Sequence, residues 1–257
     1  MKVVRMEAGP SIHYGVLDGE NIQIWSDAPW KGGVPAEQNI PLTEARLLAP
    51  CQPGKVIGMA INFPGATGLA PDFKEPLVFL KTGTSVIGSG ETIISPFSDT
   101  RVWGECELGV VIGKRLSRCT TDEALSGGVF GYVIGNDVSA ENVQGWDHHL
   151  PRSKAADTFC ALGPWIDTDF QPQGKTIRGY HNQILIREAI ASDRLWAEPD
   201  LLVWLSSWMT LEPGDVILTG APARLRERLY LQTGDSYTCT IDGLGELTNP
   251  FRCDYGK

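Results

Sequence analysis

Two glutamates, Glu105 and Glu107, stand two positions apart in the segment R-V-W-G-E-C-E-L-G-V-V-I-G, residues 101 to 113. Side chains at i and i+2 of a strand leave the same face, so both carboxylates can reach one cation. A lone E-x-E is more often the wet side of an amphipathic strand. Here, however, Leu108 to Ile112 is an unbroken apolar run, the pattern of a strand buried on both faces, where an unpaired carboxylate is costly. A bound divalent cation would remove that cost. A third acid, Asp137, closes the run G-Y-V-I-G-N-D, and taken alone it is an ordinary turn signal at a strand end. As a set, three oxygen donors with no companion histidine or thiolate suit a hard ion, Mg2+ or Mn2+ with Ca2+ as a third candidate, rather than zinc.

The elements that must position these acids are mostly strands. Glycine (29) and proline (17) punctuate the 257 residues at short intervals, with β-branched runs such as KVVRM, ETIIS and GDVILTG between them. Residues 1–50 read as a small N-terminal unit: strands at VVRM, HYGVL and NIQIW, a Pro/Gly-rich loop at APWKGGVPAEQ, and a short helical piece ending at LLAP. Residues 51–257 form the larger unit. Helical periodicity is convincing only at TTDEALSGGVF, where Thr120 or Thr121 can cap, and at PDLLVWLSSWMTL. In the latter the stripe Leu201, Leu202, Leu205, Trp208 and Met209 is expected to face the core.

Composition narrows the partners. A net charge of −9 argues against nucleic acid or an anionic membrane, both of which need a basic footprint, and leaves small molecules. The six cysteines are scattered, without a C-x-x-C pair, as expected of reduced thiols in a cytoplasm. No stretch approaches the roughly 20 apolar residues of a membrane span, and the N-terminus lacks a signal peptide's apolar run.

Read together, the segments resemble the fumarylacetoacetate hydrolase superfamily from about residue 50 to 253. In order they are P-G-K-V-I-G (53 to 58), F-L-K ending at Lys81, the E-C-E strand, G-N-D-V-S-A, R-S-K-A-A-D-T-F-C-A-L-G-P-W-I (152 to 166), L-E-P-G-D-V-I-L-T-G-A-P (211 to 222) and a closing T-G-D. The resemblance implies a mixed α/β, mainly β fold, a β-sandwich or β-roll with a few peripheral helices, in a protein that is commonly a homodimer. It places metal ligands on Glu105, Glu107 and Asp137, the active-site lysine on Lys154, a glutamine on Gln144 and a substrate-contacting threonine on Thr219, followed by Gly220 at a turn. An ammonium at Lys154 would stabilise a developing enolate or bind a carboxylate. Lys81 is a weaker candidate for a substrate carboxylate, with a surface position the more ordinary expectation. The basic loop P-A-R-L-R-E-R-L (222 to 229) reads first as a solvated turn, and second as a contact for an acidic substrate end.

Three departures shape the expected chemistry. Hydrolases of the superfamily carry a histidine and a glutamate that activate water. Ala66 and Leu69 stand at those positions, and neither can accept a proton. Glu141 replaces an arginine, and Ala221 turns T-G-T-P into T-G-A-P. The carboxylates survive, which implies chemistry that needs the cation but no water nucleophile: decarboxylation or keto–enol isomerisation of a 2-oxo or dicarboxylic acid, as in superfamily members acting in aromatic-ring breakdown. One alternative is a C–C hydrolase of acylpyruvates or β-diketo acids with a replacement base in G-W-D-H-H-L-P, His148 or His149 beside Asp147. A second is a homologue that binds metal and keto acid without turnover.

Overall fold

In the computed structural model, which describes residues 1–66 and 74–254, the strand Cys106–Ile112 is buried along its whole length. Its neighbours explain why. It lies antiparallel between Val129–Asp137 and Val216–Leu218, and a large mixed sheet extends from both. On one side Val129–Asp137 pairs with Cys160–Asp167, which pairs with Lys2–Ala8 and so with the meander Ser11–Asp18, Asn21–Trp25 and Pro35–Pro41. On the other, Val216–Leu218 runs parallel to Val56–Ala60, which pairs with Leu77–Lys81. A second sheet, in the order Ile184–Ile190, Thr176–His181, Ser236–Ile241, Gly245–Cys253, Ile93–Ser95, packs against the first.

Between the sheets Leu108, Ile134 and Ala161 meet Ile177, Cys239, Ile241, Leu247 and Phe251 in one apolar layer. Further along the large sheet, Ile57, Val110, Ile112 and Ile217 are covered by the helix Asp200–Ser206 and by Ala124 of the helix Thr121–Leu125. Thr120 caps the latter with a capping box: its hydroxyl accepts from the Glu123 amide while Glu123 accepts from the Thr120 amide. The chain is therefore mainly β with a few short peripheral helices, as its punctuation implies. Among the described residues no helix is long and apolar enough to cross a membrane.

Three local expectations are corrected. Part of the expected loop 28–38 is the edge strand Pro35–Pro41, where prolines are tolerated because one row of edge amides has no partner to lose. The helical piece before Pro50 is a single 3-10 turn, Leu42–Glu44, followed by the strand Arg46–Leu47. In the Leu201 stripe, Leu201, Leu202 and Leu205 are fully buried, but Trp208 is 54% exposed because the helix ends at Ser206 before bringing it to the core face.

Candidate metal and active site

Strand register brings the three acids together. Cys106 sits opposite Asn136 and Glu107 opposite Gly135, so Glu105 falls opposite Asp137, whose amide donates to the Glu105 carbonyl at 2.9 Å. Cys106 and Leu108 enter the layer between the sheets, so alternation sends both glutamates off the other face. One carboxylate oxygen from each of Glu105, Glu107 and Asp137 lies within 4.8 Å of the others. Glu107 and Asp137 are each 1% exposed. Glu107 is fixed by the Gly220 amide, which donates to its Oε2 at 2.7 Å. Gly220 adopts φ 92°, and a Cβ there would lie 2.8 Å from that of Asn62, so the turn requires glycine.

Three cations face these acids. Lys154 donates to Asp137 Oδ2, to Glu105 Oε2 at 3.3 Å and to the Ser139 hydroxyl at 2.5 Å, with the Phe79 ring 4.4 Å from its ammonium. Lys81, expected at the surface, is instead completely buried, for a clear reason. Its ammonium donates to the carbonyls of Val138, Lys154 and Phe159 at 3.0, 2.6 and 2.8 Å, tying the end of the Asp137 strand to the Lys154 helix. With those three hydrogens committed, its 2.6 Å approach to Asp137 Oδ1 is an ion pair without an aligned hydrogen bond, and that oxygen has no donor. Arg187, from the second sheet, pairs with Glu105 Oε1 and donates to the Pro222 carbonyl.

The charges act on one another. Burial opposes ionisation of Glu105, but Lys154 and Arg187 outweigh it and bring its pKa down to about 2. Glu107 is pushed well up, first by burial and then by Asp137 and Glu105 beside it. Lys154 is disfavoured by burial yet raised to about 12 by Asp137 and Glu105, so it remains an ammonium throughout the physiological range. A hard divalent cation fits this donor set: three converging carboxylate oxygens, one of them buried without a hydrogen bond, and a like-charge strain on Glu107 that such an ion would relieve.

The acids open into a pocket of about 170 Å³ whose walls include Ala66, Phe79, Leu150 and Lys154. Arg187, Arg224 and Arg228 also line it. A larger cavity of about 820 Å³, near Phe97 and Arg152, contains none of these acids, and the donors rather than the volume locate the chemistry. The helix Pro151–Lys154 that delivers Lys154 begins at Leu150, in the left-handed region at φ 61°, and is anchored by Asp147, whose carboxylate accepts from the Ser153 amide at 2.6 Å.

Other residues singled out from the sequence lie around this centre rather than in it. The Thr219 hydroxyl is buried and donates to the Leu108 carbonyl at 2.8 Å. Gln144, at φ 58°, is exposed, as are His148 and His149, and none of the three lines the pocket. Glu141 pairs with Arg101. Leu69 lies outside the described residues. Sequence reasoning missed Arg187 altogether and read the loop of Arg224 and Arg228 first as a solvated turn, and only second as a contact for an acidic substrate end. The density of arginine in 222–229 was the available signal.

Residues 55–252 match the family described as fumarylacetoacetate (FAA) hydrolase, C-terminal. The chain belongs to the fumarylacetoacetate hydrolase family. Residues 1–50 match the family described as Rv2993c-like, N-terminal. Among relatives of this fumarylacetoacetate hydrolase family member, Protein Rv2993c of Mycobacterium tuberculosis is 34% identical over 97% of each chain. The oxaloacetate tautomerase fahd2, mitochondrial, of Xenopus laevis is 34% identical over 79% of this chain and 67% of its own length. Among solved structures, 5-carboxymethyl-2-hydroxymuconate delta-isomerase from Mycobacterium smegmatis superposes with a TM-score of 0.89, at 33% identity, covering 99% of this chain and all of that one. Maleylpyruvate hydrolase from Sphingobium sp. SYK-6, in complex with manganese(II) and pyruvate, reaches a TM-score of 0.77 at 26% identity, with 98% and 99% of the two chains covered.

Proposed function

We propose that this family member interconverts the keto and enol forms of a 2-oxo carboxylic acid, using a hard divalent cation held by Glu105, Glu107 and Asp137. Decarboxylation of a suitable substrate would pass through the same enolate. The reading rests on one juxtaposition: Lys154, shared between Asp137 and Glu105, opens into the acid pocket where Ala66 stands in place of the hydrolases' water-activating histidine. Support comes from relatives named as a tautomerase and an isomerase, and from a related structure that holds manganese(II) with pyruvate.

When bound, the cation supplies Lewis-acid polarisation of the 2-oxo group. The chain's own residues do the remainder. Lys154 carries a permanent positive charge to the place where negative charge develops on oxygen. Of its three acceptors the Ser139 hydroxyl is the neutral one, and is the one exchanged most readily for a substrate oxygen. Lys81 positions both Asp137 and the Lys154 helix from behind. Phe79, Leu150 and Ala66 wall the pocket with apolar groups that limit water around the reacting atoms.

The test is to follow enol absorbance and solvent-deuterium exchange at C3 for a panel of 2-oxo acids, with purified protein plus Mg2+ or Mn2+. Acceleration that disappears with a chelator and returns with metal is the expected result. Failure to accelerate exchange, to interconvert the enol or to release CO2 from any of them would overturn the reading.

A further inference from the structure

An acidic protein has concentrated arginine at one place. Four cations, Lys154, Arg187, Arg224 and Arg228, line the small pocket that holds the three acids, so the walls are net positive before any metal enters. Arg187 and Lys154 are already engaged with Glu105 and Asp137. Arg224 and Arg228 are different: among the described residues neither forms a salt bridge, and Arg228 Nε is buried with no hydrogen-bond partner. Burial, and next the charge of Arg224 beside it, lower the pKa of the Arg228 guanidinium. Glu105 and Glu141 act on Arg228 from a distance but neither pairs with it, so its guanidinium keeps donors for an anion that arrives.

The loop carrying them is built rather than loose. The Leu225 amide donates to the Ile186 carbonyl at 2.8 Å, and Arg224 bridges Arg187, which locks the loop along the second sheet. Its far end is tied by the Leu231 amide to the Val102 carbonyl, also at 2.8 Å. Between these anchors the Arg228 guanidinium stacks on the Trp103 ring, 3.8 Å from its centroid, and Trp103 packs edge-on against Tyr230. Stacking fixes the plane of the guanidinium and leaves its edge free for a planar, two-oxygen acceptor.

We propose that Arg228, with Arg224 beside it, is an anion subsite that takes a second, distal carboxylate of the substrate and so restricts the enzyme to 2-oxo dicarboxylic acids. This deepens the proposed function and rests on it for the position of the 2-oxo end. The pocket is smaller than the roughly 300–1,000 Å³ of sites for drug-sized ligands, so a short diacid is the matching class.

The experiment is calorimetric. Manganese-loaded wild type, Arg228→Leu, Arg228→Lys, Arg224→Ala and Arg226→Ala are titrated with two acids of equal length, 2-oxopentanedioate and 2-oxopentanoate, which differ only in the terminal carboxylate. Wild type is expected to prefer the diacid by about 10–100-fold, the range of one or two charge-assisted hydrogen bonds. Arg228→Leu should collapse that preference, Arg228→Lys should restore part of it and Arg224→Ala should reduce it. Arg226, exposed and outside the pocket lining, should be replaceable without effect. Equal affinity of wild type for the two acids, or equal weakening of both by Arg228→Leu, overturns the subsite. Deuterium exchange on the same samples separates the two ideas. Selective diacid binding without exchange sinks the catalytic reading and leaves the subsite standing, whereas exchange without selectivity does the reverse.

Discussion

Lys154 is the side chain whose loss tells most about the chemistry. It is 12% exposed and hydrogen-bonded to two of the three acids, so Lys154→Met removes the charge that the proposed function sets against the reacting oxygen. A fall in kcat of about 10²–10³-fold is expected, the size seen when one oxyanion donor is removed, with steady-state exchange kinetics as the check. Glu107→Gln separates metal binding from folding. Divalent-cation affinity should drop by more than the roughly 10–100-fold lost with an outer-shell partner. The metal-free protein should keep its unfolding midpoint, since the substitution also relieves repulsion from Asp137 and Glu105. His148→Ala and His149→Ala should leave turnover unchanged, because both rings are exposed and outside the pocket lining. A large loss in either would revive hydrolysis with a replacement base. At this scale the pair Glu105 and Glu107 was legible because i, i+2 spacing in an apolar run is a local signal, whereas Asp137 alone reads as a turn and Lys154 came from the family resemblance. Arg187 was not: in I-L-I-R-E-A-I it reads as the wet position of an edge strand, and its partner Glu105 is 82 residues away.

Among elements, the joint between the Val129–Asp137 strand and the Pro151–Lys154 helix depends on Lys81. Lys81→Met would leave the Val138 and Lys154 carbonyls without their donor, remove one of two from the Phe159 carbonyl, and strip Asp137 Oδ1 of its cation. Breaking a buried ion pair from one side costs about 3–5 kcal/mol, so the urea midpoint should fall accordingly, and Mn2+ affinity with it. Strand runs such as VVRM, NIQIW and the flank of E-C-E were readable from period and β-branching. Pro35–Pro41 was not, since two prolines and P-A-E-Q mimic a loop, and only pairing with Asn21–Trp25 makes it a strand. Lys81 shows the same limit from the other side. Nothing local in L-V-F-L-K distinguishes a buried ammonium from a solvated one, because the carbonyls that accept it lie at 138, 154 and 159.

At the scale of the molecule, the site is where two sheets are pinned. Arg187 comes from the smaller sheet and Glu105 from the margin of the larger, so ligands that bind between them also hold the sheets together. Mn2+ with oxalate, at about a hundredfold excess over Kd, should stabilise the fold by about 2.7 kcal/mol, which for a chain of this size raises the melting temperature by roughly 5–10 °C. Scanning fluorimetry with each component alone and together checks this, and no shift for the pair would count against a shared site. The pairing of Lys2 with Asp167 has another consequence, for biosynthesis. That corner of the first strand waits, with its edge unmatched, while about 165 further residues are translated, a delay of roughly 8–30 s at ordinary ribosomal speeds. The nascent hairpins must therefore stay soluble through that interval by their own charges or with a chaperone's shelter.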